Sequence, residues 1–531
     1  MKKIFLLALF AQSIAFAQNV KLTWSPEVEK ERKEFISDII HADNSGIYYT
    51  MAERHKGLYG GLRPSMFKTV EKISPNFSTI FSKEITAFDE DYVINDIKYA
   101  KNNFLFFASK YTRKEGGSKY YVVNMDMNGN IKGTPKEYLS IDEDNFAKVA
   151  KLSIVPAYDS TKFLVLAERE QSKRNKKEEE KIILTVFNNL GEKEWQKNIS
   201  ISNKLDGEIK IQQQQIAPNG DIYFLLKEYL TEKIKETIKD DKGNKVPGYK
   251  YRIVKITNKG NTTKDFSIDL GDKYVNSADL KINTQSNNLI VSGFYNDQDN
   301  EVLRGLFYLE VDNSNAVIKK DSKDFPQDFI DEFKKNGGTK KDKKNNDDDD
   351  LGLKKGFRVD KIYPRENGGA YLVSEFYQLV IVTTMTSSGP RFTYHYYNND
   401  IIAASIGADG TIGWFNRIPK RQHEINSHIF SSYVSTVYDD KLYILFNDNP
   451  KNMEIDDDEK SAGVLGNFKN TNCVMHAIDS TGKDIKKELF KNNLIETTLR
   501  PMESVVINEN TIILYAQKGK NVKLGKLVIS K

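Results

Sequence analysis

Apolar positions in this chain come in short runs that alternate with polar ones, and Asp-Gly or Asn-Gly pairs interrupt the runs at near-regular intervals. The clearest instance spans residues 400–414, where Ile401-Ile402-Ala403-Ala404 leads through Asp409-Gly410 into Thr411-Ile412-Gly413-Trp414. Alternation on both sides of Asp-Gly predicts a strand, a tight turn and a second strand, because the turn needs residues that tolerate positive φ. Variants of the same phrase recur at 122–129, 184–191, 253–260 and 474–482.

Another pair of strands with its own turn precedes each hairpin, at 36–52, 94–109, 152–168, 209–228, 280–294, 362–376 and 435–447, and a last pair lies at 504–517. The second strand of each pair is strongly apolar, as in Phe104-Leu105-Phe106-Phe107 and Leu442-Tyr443-Ile444-Leu445-Phe446. Such runs belong to strands covered on both faces. Four antiparallel strands recurring about every sixty residues predict an all-β chain folded as a β-propeller. We count eight four-stranded blades, with seven as the fallback. The eighth unit has three strands, the third at 524–529, and the run 20–24 is expected to supply its fourth. Closure by this N-terminal strand removes the open sheet edges that invite aggregation. Trp195 and Trp414 each lie four residues beyond a turn glycine in a fourth strand, an offset that points to packing between blades.

The remaining composition refines this picture. Met1-Lys2-Lys3, an apolar run to Phe16 and the small residues Ala15 and Ala17 are expected to form a signal peptide over 1–17, leaving 18–531 as one propeller domain. No other apolar stretch reaches membrane length. Formal net charge is +5 and falls to about +3 once Lys2 and Lys3 leave, so no nucleic-acid partner is expected. Cys473 is the single cysteine and reads as a small core residue. The tract from Lys340 to Asp350 lacks apolar residues, and an unstructured acidic and basic insertion is expected over 335–355.

Turns between first and second and between third and fourth strands are short, whereas second-to-third connections and blade links carry insertions. The insertions are 55–65, 112–118, 170–181, 230–250, 378–399 and 448–470, with the link 322–356. One face of the ring is therefore expected to be plain and the other to carry function. The most informative insertion prolongs two strands of blade six into a hairpin with its tip at 387–390. Tyr377, Phe392, Tyr394, His395, Tyr396 and Tyr397 give it an aromatic arm, which is good interface material. Several second strands end in glutamate toward the insertion face, at Glu53, Glu168, Glu228 and Glu375. Glu168, Glu228 and Glu375 are thus candidates for binding or for acid-base chemistry at the channel mouth.

Other chemistry is thinly represented. His423 and His428 are five apart, in an expected blade link, where a zinc-binding helix needs four. Neither 340–350 nor 456–459 has the spacing of a calcium loop. No metal or cofactor is expected. The sequence has no phosphate-binding glycine loop, nucleophile elbow or thiol pair, which lowers the expectation of an enzyme without removing it.

The residues from Tyr396-Tyr397-Asn398-Asn399-Asp400 through Asp409-Gly410-Thr411-Ile412-Gly413-Trp414 to Ile418-Pro419-Lys420-Arg421-Gln422, with 446–452 following, resemble a pattern in uncharacterised exported β-propeller proteins of Bacteroidota. The resemblance covers blades six and seven. It implies a periplasmic or extracellular location and no particular activity. Residues 524–531 are superficially similar to that group's sorting tails, but the Pro-Asn-Pro-like start of such a domain is missing, and they read as the last blade. The function expected is a binding scaffold that docks an envelope protein or a glycan ligand on the insertion-rich face. The alternative is an enzyme acting on glycans or peptides at the channel mouth.

Overall fold

The computed structural model describes residues 19–531 apart from 30–33, 54–65, 90, 113–116, 143–148, 170–179, 203, 244, 297–301, 335–338, 342–349, 454–462, 469 and 520. Residues 1–17, expected to form a signal peptide, the aspartate run up to 349 and residues 456–459 lie outside the described residues.

Among the described residues, eight antiparallel blade sheets follow one another along the chain, with one two-stranded and one three-stranded sheet formed in the insertions. Blades one to five run from Glu34–Asp43 to Thr79–Glu84, Tyr92–Tyr99 to Ile131–Asp142, Val149–Pro156 to Lys193–Ile201, Ile209–Ile216 to Thr262–Ser267 and Tyr274–Ile282 to Val317–Asp324. Blade six comprises Phe357–Pro364, Ala370–Thr386, Gly389–Ile406 and Ile412–Ile425. Blade seven runs from Val434–Tyr438 to Asp484–Lys491. Blade eight contains Val505–Asn508, Thr511–Lys518 and Asn521–Ser530, and its outer strand is Asn19–Trp24 from the opposite end of the chain. The molecule is an eight-bladed β-propeller closed by its N-terminal strand, as the repeat pattern predicts.

Burial follows strand position. In blade seven every residue of Asn472–Ile478 is buried, whereas every residue of the outer strand Asp484–Lys491 is half-buried or exposed. The apolar runs are long because middle strands pack against the blades on both sides. Eight hydrophobic clusters fill the eight gaps between blades. One of them joins Ile513, Tyr515 and Leu524 of blade eight to Ile36, Ile47 and Met51 of blade one, which completes the ring.

The turn glycines also pack between blades. Gly482 in blade seven has φ +91° and sits under the Trp414 ring of blade six, where an added Cβ would lie 2.9 Å from Cγ. Gly260 meets Trp195 in the same way, at 3.3 Å. Trp414 further donates its Nε1–H to the Ser480 carbonyl at 3.0 Å. The tryptophan offset is thus a blade-to-blade contact that needs both the positive φ and the missing side chain. Gly482→Ala is expected to cost about 1–3 kcal/mol, read as a shift in the denaturant midpoint.

The insertion expected to be unstructured over 335–355 is corrected at its described parts. Thr339–Lys341 and Asp350–Lys354 pair as strands, and the second of these also pairs with Val302–Leu303. Leu353 is fully buried, so the apolar residue just after the aspartate run anchors the segment. The preceding helix Gln327–Lys334 buries Phe329, Ile330 and Phe333 against the cluster between blades five and six. No helix among the described residues is long and apolar enough to cross a membrane.

Candidate functional site

The first strands of the blades surround a central channel, and a cavity of about 1760 Å³ runs along the part lined by blades three to eight. In blades one, two, four and six the inner strand slips register by one residue at the same depth, between Ile36/Asp38, Ile94/Asp96, Ile211/Gln213 and Val359/Lys361. A bulge leaves a neighbouring backbone group unpaired and re-aims a side chain. In blade six the freed group is the Glu375 N–H, which donates to Asp360 Oδ2 at 2.9 Å. The same oxygen lies 3.4 Å from the Tyr433 hydroxyl, and Oδ1 lies 3.5 Å from Arg358 Nε.

Asp360 shares the channel wall with Asp279, Lys281 and Lys361. Burial, reinforced by the Glu375 charge, raises the Asp360 pKa to about 6. Asp279 is raised to about 7, by burial first and then by Asp360. Burial and the Lys361 charge lower Lys281. Folded Asp279 holds its proton more tightly than an unfolded aspartate, which titrates near 3.9, so this group makes stability fall as pH rises from about 4 through 7. Asp279→Asn is therefore expected to raise the melting temperature at pH 8, with the gain shrinking toward pH 5.

The glutamates singled out from the sequence do not converge. Glu228 is buried and bidentate with Arg252, at 3.0 Å to Nε and 2.7 Å to Nη2. Glu375 is buried against the Lys420 ammonium, and its Oε2 accepts from Asn398 Nδ2 at 2.7 Å and Ser432 Oγ at 2.9 Å. Glu168 stands 3.5 Å from the Lys151 ammonium. The Glu53 side chain lies outside the described residues. Glu228 and Glu375 are thus held by cations of their own blades.

The blade-six hairpin forms as predicted. The second strand runs for seventeen residues and the third for eighteen, and ten residues of each pair continuously from Tyr377↔Asn398 to Thr386↔Gly389. Ser387 and Ser388 form the tip, and Gly389 follows with φ +111°. β-Branched residues on one arm meet aromatics on the other, the pairing that favours a pleated surface. The register divides the ribbon into two faces. Leu379↔Tyr396, Ile381↔Tyr394, Thr383↔Phe392 and Met385↔Pro390 share one face, and Val380↔His395, Val382↔Thr393 and Thr384↔Arg391 share the other. The first face is apolar and open: Ile381 is 52% exposed, Phe392 51% and Met385 76%.

At its base the ribbon becomes three-stranded, because the outer strand Ile412–Ile425 continues past the disc and pairs Tyr397↔His423 and His395↔Ile425. His423 and Glu424 are therefore strand residues, which corrects their placement in a blade link. His395 Nδ1 lies 3.0 Å from His423 Nε2, and Tyr397 stacks on His423 at 4.5 Å between ring centres. Burial and the neighbouring His395 lower the His423 pKa. His428 stacks on Tyr396 on the opposite face, also at 4.5 Å. Among the described residues no three His, Cys, Asp or Glu side chains come together as a metal site. Tyr377 stands apart from the other ribbon aromatics, at the channel mouth, with the Arg358 guanidinium 5.8 Å from its ring centre. The six aromatic and histidine candidates thus split into Phe392, Tyr394 and Tyr396 on the apolar face, His395 and Tyr397 at the histidine pair, and Tyr377 at the mouth.

Sequence reasoning missed Asp279 and Asp360. Their only signal is a carboxylate next to or near a lysine inside an inner strand of mixed polarity, in Asp279-Leu280-Lys281 and Asp360-Lys361.

No family model and no curated protein matches this sequence. Among solved structures, the chain is similar to the WD40 domain of SCAP from fission yeast, at 10% identity over 96% of this chain and 98% of that one, with a TM-score of 0.38. Prolyl oligopeptidase B from Galerina marginata is similar over 91% of this chain and 55% of its own, at 10% identity and a TM-score of 0.38. The β-propeller domain of the Trilobed protease from Pyrococcus furiosus is similar over 88% and 98%, at 10% identity and a TM-score of 0.34.

Proposed function

We propose that this propeller is an exported binding scaffold of the cell envelope, which docks a partner protein through the blade-six ribbon. The observation that carries the reading is the apolar face formed by Leu379, Ile381, Met385, Phe392, Tyr394 and Tyr396, held clear of the disc by a continuous strand pair. Exposed aromatic and aliphatic side chains on a rigid support bury much area at little entropic cost on binding. The ring supplies that support through its eight inter-blade cores. Phe392→Ala with Tyr394→Ala is expected to weaken the partner complex by roughly thirtyfold or more, as hot-spot truncations do. Thr384→Ala with Arg391→Ala on the other face is expected to leave it within about threefold, since near-neutral contacts surround most hot spots. Quantitative recovery of the partner from an envelope extract measures both, and equal losses from the two faces would refute the reading.

The enzyme reading rests on different groups than the sequence suggested. Asp279 and Asp360 share the channel wall and have pKa values raised toward neutral pH by burial, whereas Glu228 and Glu375 are tied to buried cations. It predicts that Asp360→Asn abolishes turnover of a glycan or peptide that the ribbon variants still process.

A further inference from the structure

The second strand of blade six is paired on both sides only as far as Tyr377, whose N–H donates to the Gly356 carbonyl at 3.2 Å on the inner side. Beyond that point the inner strand is absent, and among the described residues the ribbon's second strand has the third strand as its only neighbour. Backbone groups alternate sides along a strand, so Leu379, Ile381, Thr383 and Met385 turn both N–H and C=O to the same inner edge as Tyr377. The third strand agrees. Tyr394 exchanges bonds with Asn426 on its outer side, which makes Ile381↔Tyr394 a pair without hydrogen bonds between the two strands.

Among the described residues, an edge about 27 Å long, at 3.4 Å per residue, is left with no partner for its inward donors and acceptors. Natural edge strands of this length are blunted by charge, proline, bulges or cover. Residues 378–386 read Gln-Leu-Val-Ile-Val-Thr-Thr-Met-Thr, with no charge, no proline and no bulge. A second copy pairing along this edge is joined by a strip one strand wide, short of the roughly 1,200 Å² that stable interfaces bury, whereas a free segment of a partner protein can pair with the edge and also lie over the channel mouth beside it. The edge also has a direction. Strand order in the blade is inner, second, third, outer, so the free edge overlooks the channel mouth, where Arg358 keeps 69% of its side chain exposed beside Tyr377.

We infer that the ribbon binds its partner by strand addition, taking an extended, uncharged segment of the partner protein with alternating apolar residues onto the edge of Leu379, Ile381, Thr383 and Met385, in line with the inner strand and over the channel mouth. Main-chain bonds supply the affinity and the apolar face supplies the selection among side chains. This inference rests on the docking reading and specifies its geometry.

Thr383→Pro isolates the edge, and Ile381→Pro alters both the edge and the apolar face. Both N–H groups point away from the third strand, so each proline removes a bond offered to the partner and none within the ribbon. The probe is a fluorescein-labelled peptide of alternating valine and threonine with a lysine at each end, added to the full-length protein. We expect it to bind, to slow amide exchange at Leu379, Ile381, Thr383 and Met385, and to bind at least about tenfold more weakly to Ile381→Pro and to Thr383→Pro. Thr384→Ala, on the other face and with its N–H toward the third strand, is expected to bind as the natural protein does. Slow exchange at Val380 and Val382, which face the third strand, shows that the ribbon persists in the proline variants. Unchanged binding by both proline variants, or no change at the four edge amides, overturns strand addition. A dimer in sedimentation that Ile381→Pro abolishes makes the occupant a second copy and also overturns it. Partner recovery from envelope extract separates the two levels. Loss on replacing the ribbon with retention by the proline variants leaves docking standing and removes strand addition, whereas retention on replacing the ribbon removes both.

Discussion

Removing residues 19–25 is expected to lower the stability of the propeller by more than about 5 kcal/mol and to make it aggregate on warming. This strand pairs along six residues, from Asn19↔Ser530 to Trp24↔Gly525, and Ser25 extends the contact with its N–H to the Leu524 carbonyl at 2.8 Å. Val20, Leu22 and Trp24 also close the core between blades seven and eight, where Trp24 meets Phe490 edge to face at 5.1 Å. Without them the third strand of blade eight becomes an open edge above an uncovered core. Thermal unfolding followed together with light scattering measures the effect, and a peptide of residues 19–25 added in trans is expected to restore part of it. An unchanged midpoint would mean that the ring closes by its other contacts alone.

Lys420→Ala is expected to cost about 3–5 kcal/mol, the usual effect of leaving one member of a buried ion pair alone. The Lys420 side chain is fully buried and bonded to Glu375, to the Asn398 carbonyl at 3.1 Å and to Gln422 Oε1 at 3.0 Å. Burial pulls its pKa down, with Glu375 opposing. Gln422 in turn donates to the Asn447 carbonyl at 2.7 Å and accepts the Ser432 N–H at 2.8 Å, so the loss spreads across the junction of blades six and seven. The double replacement Glu375→Leu with Lys420→Met removes both charges and is expected to recover much of the loss. Urea titration of the two variants checks this, and a double variant no better than Lys420→Ala would show that the surrounding polar network, rather than the lone carboxylate, sets the cost.

The ring was legible because its signals are local and repeated. Apolar second strands and Asp-Gly turns reappear in each blade, and the N-terminal strand was recognisable from a blade that lacked its fourth member. The ribbon was legible for the same reason, since 378–397 continues strand alternation without a turn residue until Ser387. The site was less so. Glu228 and Glu375 are rim glutamates by position along the chain, but their partners Arg252 and Lys420 lie 24 and 45 residues away, and only the fold brings them together. His423 was misplaced because strand pairing beyond the disc leaves no mark different from a polar link. Asp360 faces its channel neighbours through a one-residue bulge, which shifts the alternation that sequence reading depends on. Leu353 was lost in the expected loop because a single buried leucine makes no period.

Docking through the ribbon is tested by affinity recovery from envelope extract with residues 18–531 and with a variant in which residues 379–396 are replaced by a short glycine-containing turn. The propeller's inter-blade cores do not include these residues, so the variant is expected to fold with an unchanged melting temperature. The account predicts a partner retained by the full chain and absent from the variant. Recovery of the same partner by both would contradict it and move attention to the acid and lysine groups of the channel.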